Sequence, residues 1–174
     1  GEDISYSDEY LLDIIRSIKK QMRVFVFLSV GERSRKFYQN AFDCGASGSL
    51  FLFEASNKKL YQYLRPGHTL NDRLKSLEDQ KKIGYYIATG SMVGLPRQTL
   101  GDIADDILTV KKLGNPMLSS GPFIPTKKTP LGNHKSQITK HNQMSKRERI
   151  ELFLKYTAIC RLVMPNLKIP VTTA

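Results

Sequence analysis

YYIATGSMVGLPRQTLGDIADDILTVKKL, residues 85–113, decides the fold. Tyr85–Val93 reads as a strand, Gly94-Leu95-Pro96 as a tight turn, and Thr99–Leu113 as a helix. Thr99 stands at the N-cap with Asp102 three residues on, a capping-box signature, and Gly114 supplies the stop. A strand that turns directly into a helix is one β-α unit of a parallel sheet. The small residues Ala88, Gly90, Ser91 and Gly94 crowd the end of this strand. They admit two readings: close packing against a neighbouring element, or backbone laid open to a ligand.

The same alternation extends in both directions. Upstream, Ser7–Gln21 predicts a helix whose apolar face is Leu11, Ile14, Ile15 and Ile18, with Asp8 and Glu9 in its first turn and Lys19 and Lys20 in its last, as the helix dipole favours. Arg23–Val30 is a nearly continuous apolar run, the pattern of a strand covered on both faces. A second helix, Ser34–Cys44, stops at Gly45, and the strand Ser49–Phe53 ends on Glu54. Asn57–Leu64 is helical up to the Pro66-Gly67 breaker. Thr69, with Asp72, then caps a helix that runs to Gly84 along Leu70, Leu74 and Leu77.

Downstream, Met117–Ser120 is a short strand followed by GPFIPTKKTPL, a Pro-rich loop that cannot be helix or interior strand. Ser145 and Glu148 form a full S-x-x-E box for a helix carried by Ile150, Leu152, Phe153, Tyr156, Ile159, Leu162 and Val163 and stopped at Pro165. Leu167–Val171 is the last strand. The order is αβαβαβαβαβ, which requires right-handed crossovers and a parallel sheet, and fits either a closed barrel or an open doubly wound sheet. A complete (β/α)8 barrel needs roughly 250 residues, so this chain would supply about six of the eight units.

The 174 residues, 40% of them hydrophobic, suit a single domain over 1–174 with a sizeable core. No apolar run reaches a membrane span. Both ends read as cut: the chain opens on Gly1 rather than Met and stops at KIPVTTA, so a piece of a longer protein is expected. Cys44 and Cys160 match no metal spacing and read as free, structural thiols, which favours an intracellular protein. The net charge of +11 raises nucleic acid as a partner. The densest basic run, Thr126–Arg147, has no Asp or Glu, but it also has no aromatic residue for base stacking and reads as a solvated loop.

In either architecture ligands lie at the carboxyl ends of the strands. Those ends are Gly1-Glu2-Asp3, Ser29, Glu54, Ser91 to Gly94, Gly121-Pro122 and Thr172-Thr173, polar or glycine-rich where the strand bodies are apolar. In that company Gly90–Gly94 reads as one wall of a shared ligand mouth. Glu54 follows Leu50-Phe51-Leu52-Phe53 directly, and a carboxylate partly desolvated at a barrel mouth needs a cation. That cation is either Arg73 on the following helix or a positively charged ligand. His68, His134 and His141 fall in loops, and no Ser-His-Asp or Cys-His arrangement appears.

The ordered series GED (1–3), LSVGERS (28–34), E-x-x-N (54–57), LRPG (64–67), NDR (71–73), GSMVGLP-x-QT (90–99), GPFIP (121–125), TPL (129–131) and IPVTTA (169–174) resembles the radical S-adenosylmethionine superfamily. Within it, the series is most similar to the iron-iron hydrogenase maturase family and, more loosely, to biotin synthase. The resemblance implies a partial (β/α)8 TIM-type radical-SAM barrel, from the tip of strand 2 through strand 7. It implies that Ser29, Glu54 and Arg73, with Gly1, Glu2 and Asp3, contact S-adenosylmethionine, and that Thr172 and Thr173 face an anionic substrate. The physics agrees, because the ligand's ammonium and sulfonium suit Glu54 and its carboxylate suits Arg73.

A [4Fe–4S] cluster is implied as well, with ligands before Gly1, so the chain on its own is expected to be inactive. Implied partners are an electron donor, a small-molecule or small iron-complex substrate and other maturation proteins, in the cytoplasm or in an anaerobic or plastid-type organelle. One departure concerns the substrate: Leu52 and Phe53 stand where the family carries a basic pair. Another is Thr126-Lys127-Lys128 in place of the expected His-Pro-Asp or similar. The alternatives are a biotin-synthase-like or other small-molecule radical enzyme on the same barrel and, from a different class, a non-catalytic basic module that binds nucleic acid.

Overall fold

The computed structural model describes residue 2 and residues 5–131 and 144–170. Its elements run α1 (Asp8–Gln21), β1 (Phe27–Leu28), α2 (Arg35–Asp43), β2 (Gly48–Leu50), α3 (Lys58–Leu64), α4 (Leu70–Ile83), β3 (Tyr86–Thr89), β4 (Met92–Val93), α5 (Leu100–Leu113), β5 (Met117–Leu118), β6 (Gly121–Pro122) and α6 (Lys146–Val163). The helix starts follow the sequence closely. Ser7, Ser34, Asn57 and Thr69 each accept a backbone N–H of the first turn, and Thr99 and Ser145 form reciprocal capping boxes with Asp102 and Glu148. Each such cap is worth about 1 kcal/mol.

The four main strands are parallel and lie in chain order, β1-β2-β3-β5, and a bridge from Met117 to Lys168 adds the next segment to the same edge. A doubly wound sheet reverses its strand order at a switch point. This sheet does not, so of the two architectures left open by the sequence it is the arc of a barrel.

One sheet face carries Leu28, Phe51, Ile87 and Leu118 into a core shared with Leu12 and Ile15 of α1, Phe37 and Ala41 of α2, Leu77 of α4 and Ile107 and Val110 of α5. The other face, the interior of a closed barrel, is less covered. Here the expectation for Arg23–Val30 is corrected. Val26 and Leu28 are buried, but Phe27 is exposed and Phe25 is 75% exposed, so this strand is covered on one face only. α6 is corrected in the same way. Tyr156 and Cys160 form its buried face, whereas Ile150, Ile159, Val163 and Leu162, the last 79% exposed, face out.

The strand predicted over Tyr85–Val93 is two strands, interrupted at Gly90 and Ser91. A Cβ built on Gly90 would stand 2.1 Å from the Ser119 carbonyl oxygen and 2.3 Å from Ser120 Oγ. Gly90, Ser91 and Gly94 are all buried. Close packing against the neighbouring strand therefore explains Gly90, while Met92 of the same segment lines the cavity beside Glu54 described below. We expect Gly90→Ala to cost about 1–3 kcal/mol of unfolding free energy in a denaturant titration, because backbone must move. Gly48→Ala, whose new Cβ would meet first the ring of the exposed Phe27, a side chain that can move, should cost clearly less. Equal losses would contradict the packing account.

Past the break, β4 pairs with β6, so the Pro-rich loop contains a two-residue strand. Pro122 is tolerated because it sits at a sheet edge.

Candidate functional site

Glu54 extends β2 beyond its last regular pair. Phe53 N–H donates to the Gly90 carbonyl at 3.0 Å, and Met92 N–H donates to the Glu54 carbonyl at 2.9 Å. Glu54 itself has φ 68°, the left-handed region that non-glycine residues enter only when their surroundings impose it. Arg73 comes from the first turn of α4, one turn beyond the Thr69 cap, and its side chain is 0% exposed. Its guanidinium lies 3.7 Å over the Phe51 ring. Nε donates to the Leu52 carbonyl at 2.7 Å, Nη2 to Glu2 Oε1 at 2.6 Å and Nη1 to Glu32 Oε1 at 3.4 Å. Glu54 Oε1 is 3.8 Å from Nη2.

A second guanidinium completes the cluster. Arg65, in the turn after α3, donates from Nη1 to Glu54 Oε1 at 3.4 Å and from Nη2 to Glu2 Oε2. Glu32 also accepts from Tyr61 Oη at 3.1 Å and meets His68 Nδ1 at 3.2 Å. The carboxylates of Glu2, Glu32 and Glu54 set against the guanidiniums of Arg65 and Arg73 sum to −3 + 2 = −1 with His68 neutral. Burial raises the Glu54 carboxyl above its ordinary value, with Arg73 and Arg65 only partly offsetting it. Burial acts on Glu2 in the same sense, but the hydrogen bonds and charges of Arg73 and Arg65 together outweigh it and hold the carboxyl below its ordinary value.

Glu54, Arg65 and His68 line a cavity of about 360 Å³ closed on its apolar side by Leu64, Met92 and Leu131. That volume is in the range of small-molecule sites. The arrangement can hold a zwitterion that carries an additional positive charge: carboxylates for the cationic groups, a guanidinium fork for a carboxylate.

Of the residues singled out in the sequence, Glu2, Glu54 and Arg73 are brought together; Arg73, one of the two cations considered for Glu54, stands 3.8 Å from it, and a cavity opens beside Glu54. Ser29 is exposed at the carboxyl end of β1. Gly1, Asp3, Thr172 and Thr173 lie outside the described residues. Leu52 enters the cluster only through its carbonyl, and Phe53 is buried in the core. Glu32 and Arg65 were not singled out, although they sit inside the LSVGERS and LRPG segments. Their role arises from contacts across about 30 residues of sequence or more, Glu32 to Tyr61 and Arg65 to Glu2, which no local pattern encodes.

No family model matches the chain. Over all 174 residues it is 40% identical to the [FeFe] hydrogenase maturase subunit HydE of Thermotoga maritima, covering 47% of that protein. It is 26% identical over 158 residues to the biotin synthase of Methanococcus aeolicus, covering 46% of it. The chain thus spans just under half the length of these relatives. Among solved structures it superposes on methylornithine synthase (PylB) with a TM-score of 0.82 at 22% identity, covering 98% of the chain and 48% of that structure. It superposes on the radical SAM enzyme coproporphyrinogen III oxidase (HemN) of Escherichia coli with a TM-score of 0.73 at 13% identity, covering 93% of the chain and 38% of that structure. With its parallel strands in chain order, the chain is a partial (β/α)8 barrel of the fold of these solved structures, and it resembles the hydrogenase maturase HydE along its whole length and biotin synthase at lower identity.

Proposed function

We propose that the chain forms the S-adenosylmethionine-binding part of a radical enzyme of the hydrogenase-maturase type. The observation that carries this reading is the partly buried cluster of three carboxylates and two guanidiniums beside an open cavity, with a net charge of −1. S-adenosylmethionine brings an ammonium, a sulfonium and a carboxylate, a net of +1, and would neutralise the site. Glu2 and Glu54 would take the ammonium. Arg65, which lines the cavity, would take the carboxylate, and the fully buried Arg73, fixed by the Leu52 carbonyl and the Phe51 ring, would support it from behind by holding Glu2 and Glu32. Arg65 would bridge Glu2 and Glu54 and partly offset the cost of burying the Glu54 carboxylate. Leu64, Met92 and Leu131 would exclude water from the cavity wall.

When bound, S-adenosylmethionine supplies a 5′-deoxyadenosyl radical on receipt of one electron from a [4Fe–4S] cluster. Among the described residues no group of three His, Cys, Asp or Glu is placed to hold a metal ion; Cys44 caps the end of α2 and Cys160 lies within α6. The cluster would be held by residues outside them. The substrate would be a small iron-bound molecule met during assembly of a diiron site, inside the cell and in company with an electron donor and other maturation proteins. No described helix is long and apolar enough to cross a membrane.

The test is calorimetric titration of the full chain with S-adenosylmethionine and with S-adenosylhomocysteine. Saturable binding is expected, weaker for the homocysteine analogue because its sulfur is neutral. Affinity should change little between about 50 and 200 mM salt, whereas a phosphate-binding surface would lose orders of magnitude. Absence of saturable binding, or steeply salt-dependent binding to DNA or RNA in its place, would sink the reading.

A further inference from the structure

We infer that Asp106 is a positioning residue that holds Glu54 in its left-handed turn, and so aims the Glu54 carboxylate at the cofactor's ammonium. The inference rests on the cofactor reading given above. Asp106 lies in the middle of α5, away from the cavity, and is 0% exposed. It is not a core residue by chemistry, and its buried carboxylate needs donors.

It has them from two sides. Oδ1 accepts from Ser56 N–H at 2.7 Å and from Ser56 Oγ at 2.6 Å, two residues beyond Glu54. Oδ2 accepts from Gln98 Nε2 at 3.1 Å. The same Gln98 nitrogen donates to the Met92 carbonyl at 3.0 Å, and Met92 N–H donates to the Glu54 carbonyl at 2.9 Å. The result is a closed ring: Glu54, Ser56, Asp106, Gln98, Met92 and back to Glu54. Gln98 Oε1 meanwhile accepts from Gly94 and Leu95 N–H at 2.8 and 3.1 Å, so its amide cannot turn over without stranding two backbone donors. One turn earlier on α5, Asp102 Oδ1 accepts from Asn57 Nδ2 at 2.7 Å, which ties down the far end of the same segment.

A left-handed glutamate costs of order 1–2 kcal/mol and persists only where its flanks are fixed. On the N-terminal side Glu54 is fixed by the sheet through Phe53 and Gly90. On the C-terminal side Ala55 N–H closes the turn onto the Phe53 carbonyl at 2.8 Å, and the next fixed point, Ser56, is held by Asp106. The geometry therefore assigns Asp106 a role exercised through Glu54 and not on the ligand.

The test uses the full chain as wild type, Asp106→Asn, Glu54→Gln and the double variant. Asparagine keeps the volume but presents an amide N–H₂ to the Gln98 amide, donor against donor, and opens the ring. Amide hydrogen exchange at Ser56, Gly94 and Leu95 should accelerate at least about tenfold in Asp106→Asn while distant core amides of β3 hold. Unchanged exchange at those three amides overturns the inference whatever the cofactor does. In titrations with S-adenosylmethionine, Asp106→Asn should raise Kd about tenfold in the wild-type background and less than about twofold in the Glu54→Gln background, since the two act as a unit. Equal losses in both backgrounds would mean that Asp106 serves stability alone, which also overturns it. A wild-type chain that does not bind S-adenosylmethionine removes the cofactor reading and this role with it. The exchange result then still decides whether Asp106 holds the Glu54 turn.

Discussion

Arg73→Met should cost the chain about 3–5 kcal/mol of unfolding free energy or prevent folding, the scale set by removing one partner of a buried ion cluster. The guanidinium is fully buried, stacked on Phe51, and donates to a main-chain carbonyl and to carboxylates from two different segments. Methionine replaces the length but none of the charge. Glu2 and Glu54 would then share only Arg65, Glu32 would lose its buried cation, and the Leu52 carbonyl would lose its donor. Arg73→Lys is a sharper comparison. It keeps the charge but cannot fork to Glu2 and Glu32 while bonding Leu52, so it should recover only part of the loss. Chemical denaturation at neutral pH measures both. If Arg73→Met is the culprit through stranded charge, adding Glu2→Gln and Glu32→Gln should restore part of the stability. A chain that tolerates Arg73→Met with no measurable loss would show that the cluster is decoration on a core held elsewhere.

That cluster also shows where reading from sequence stops. The elements were legible because their signals are local. Caps at Ser7, Ser34, Thr69, Thr99 and Ser145, and left-handed glycines at Gly84 and Gly114, act within a turn of themselves. The sheet was legible from alternation, and strand order then chose barrel over open sheet. Coverage was not legible. Arg23–Val30 is apolar throughout, yet Phe25 and Phe27 face the side of the sheet that α1 and α2 do not reach. The same residue types satisfy a buried strand and a half-covered one, so composition cannot separate them.

At the site, Glu54 and Arg73 stood out because a carboxylate after four apolar residues has to be explained. Glu32, Arg65 and Asp106 did not. Each is an unremarkable charged residue in its own segment and acquires a partner only through folding, Asp106 from Ser56 50 positions away. The Gly90–Gly94 segment was ambiguous for the opposite reason. Small residues at a strand end suit a ligand and a neighbouring strand equally; the distance from Gly90 to Ser119 shows the packing, and Met92 in the cavity wall shows that the same segment also borders the site.

Glu54→Gln separates function from stability, because the two should move in opposite directions. For binding, Gln cannot offer an anion to the ammonium. The affinity for S-adenosylmethionine should fall about tenfold to a hundredfold, the range of a charge-assisted hydrogen bond worth ~1.5–3 kcal/mol. For stability the sign is set by the raised carboxyl. A folded-state value above the unfolded one means that the fold favours protonated Glu54. The stabilisation is fully present below the unfolded value of 4.5 and is lost as pH rises through the folded value. The neutral amide avoids that loss. It also leaves Glu2 and Glu32 against Arg65 and Arg73, a cluster of −2 + 2 = 0 with no stranded charge. The variant's stability relative to wild type should therefore rise from about pH 4.5 up to the pH at which folded Glu54 is ionised, and level off beyond it. Urea titrations of both proteins across that interval measure the gap. A gap that moves the other way, with the variant losing ground as pH rises, would mean that ionised Glu54 is a net support of the fold and that its burial is not held in reserve for a cation.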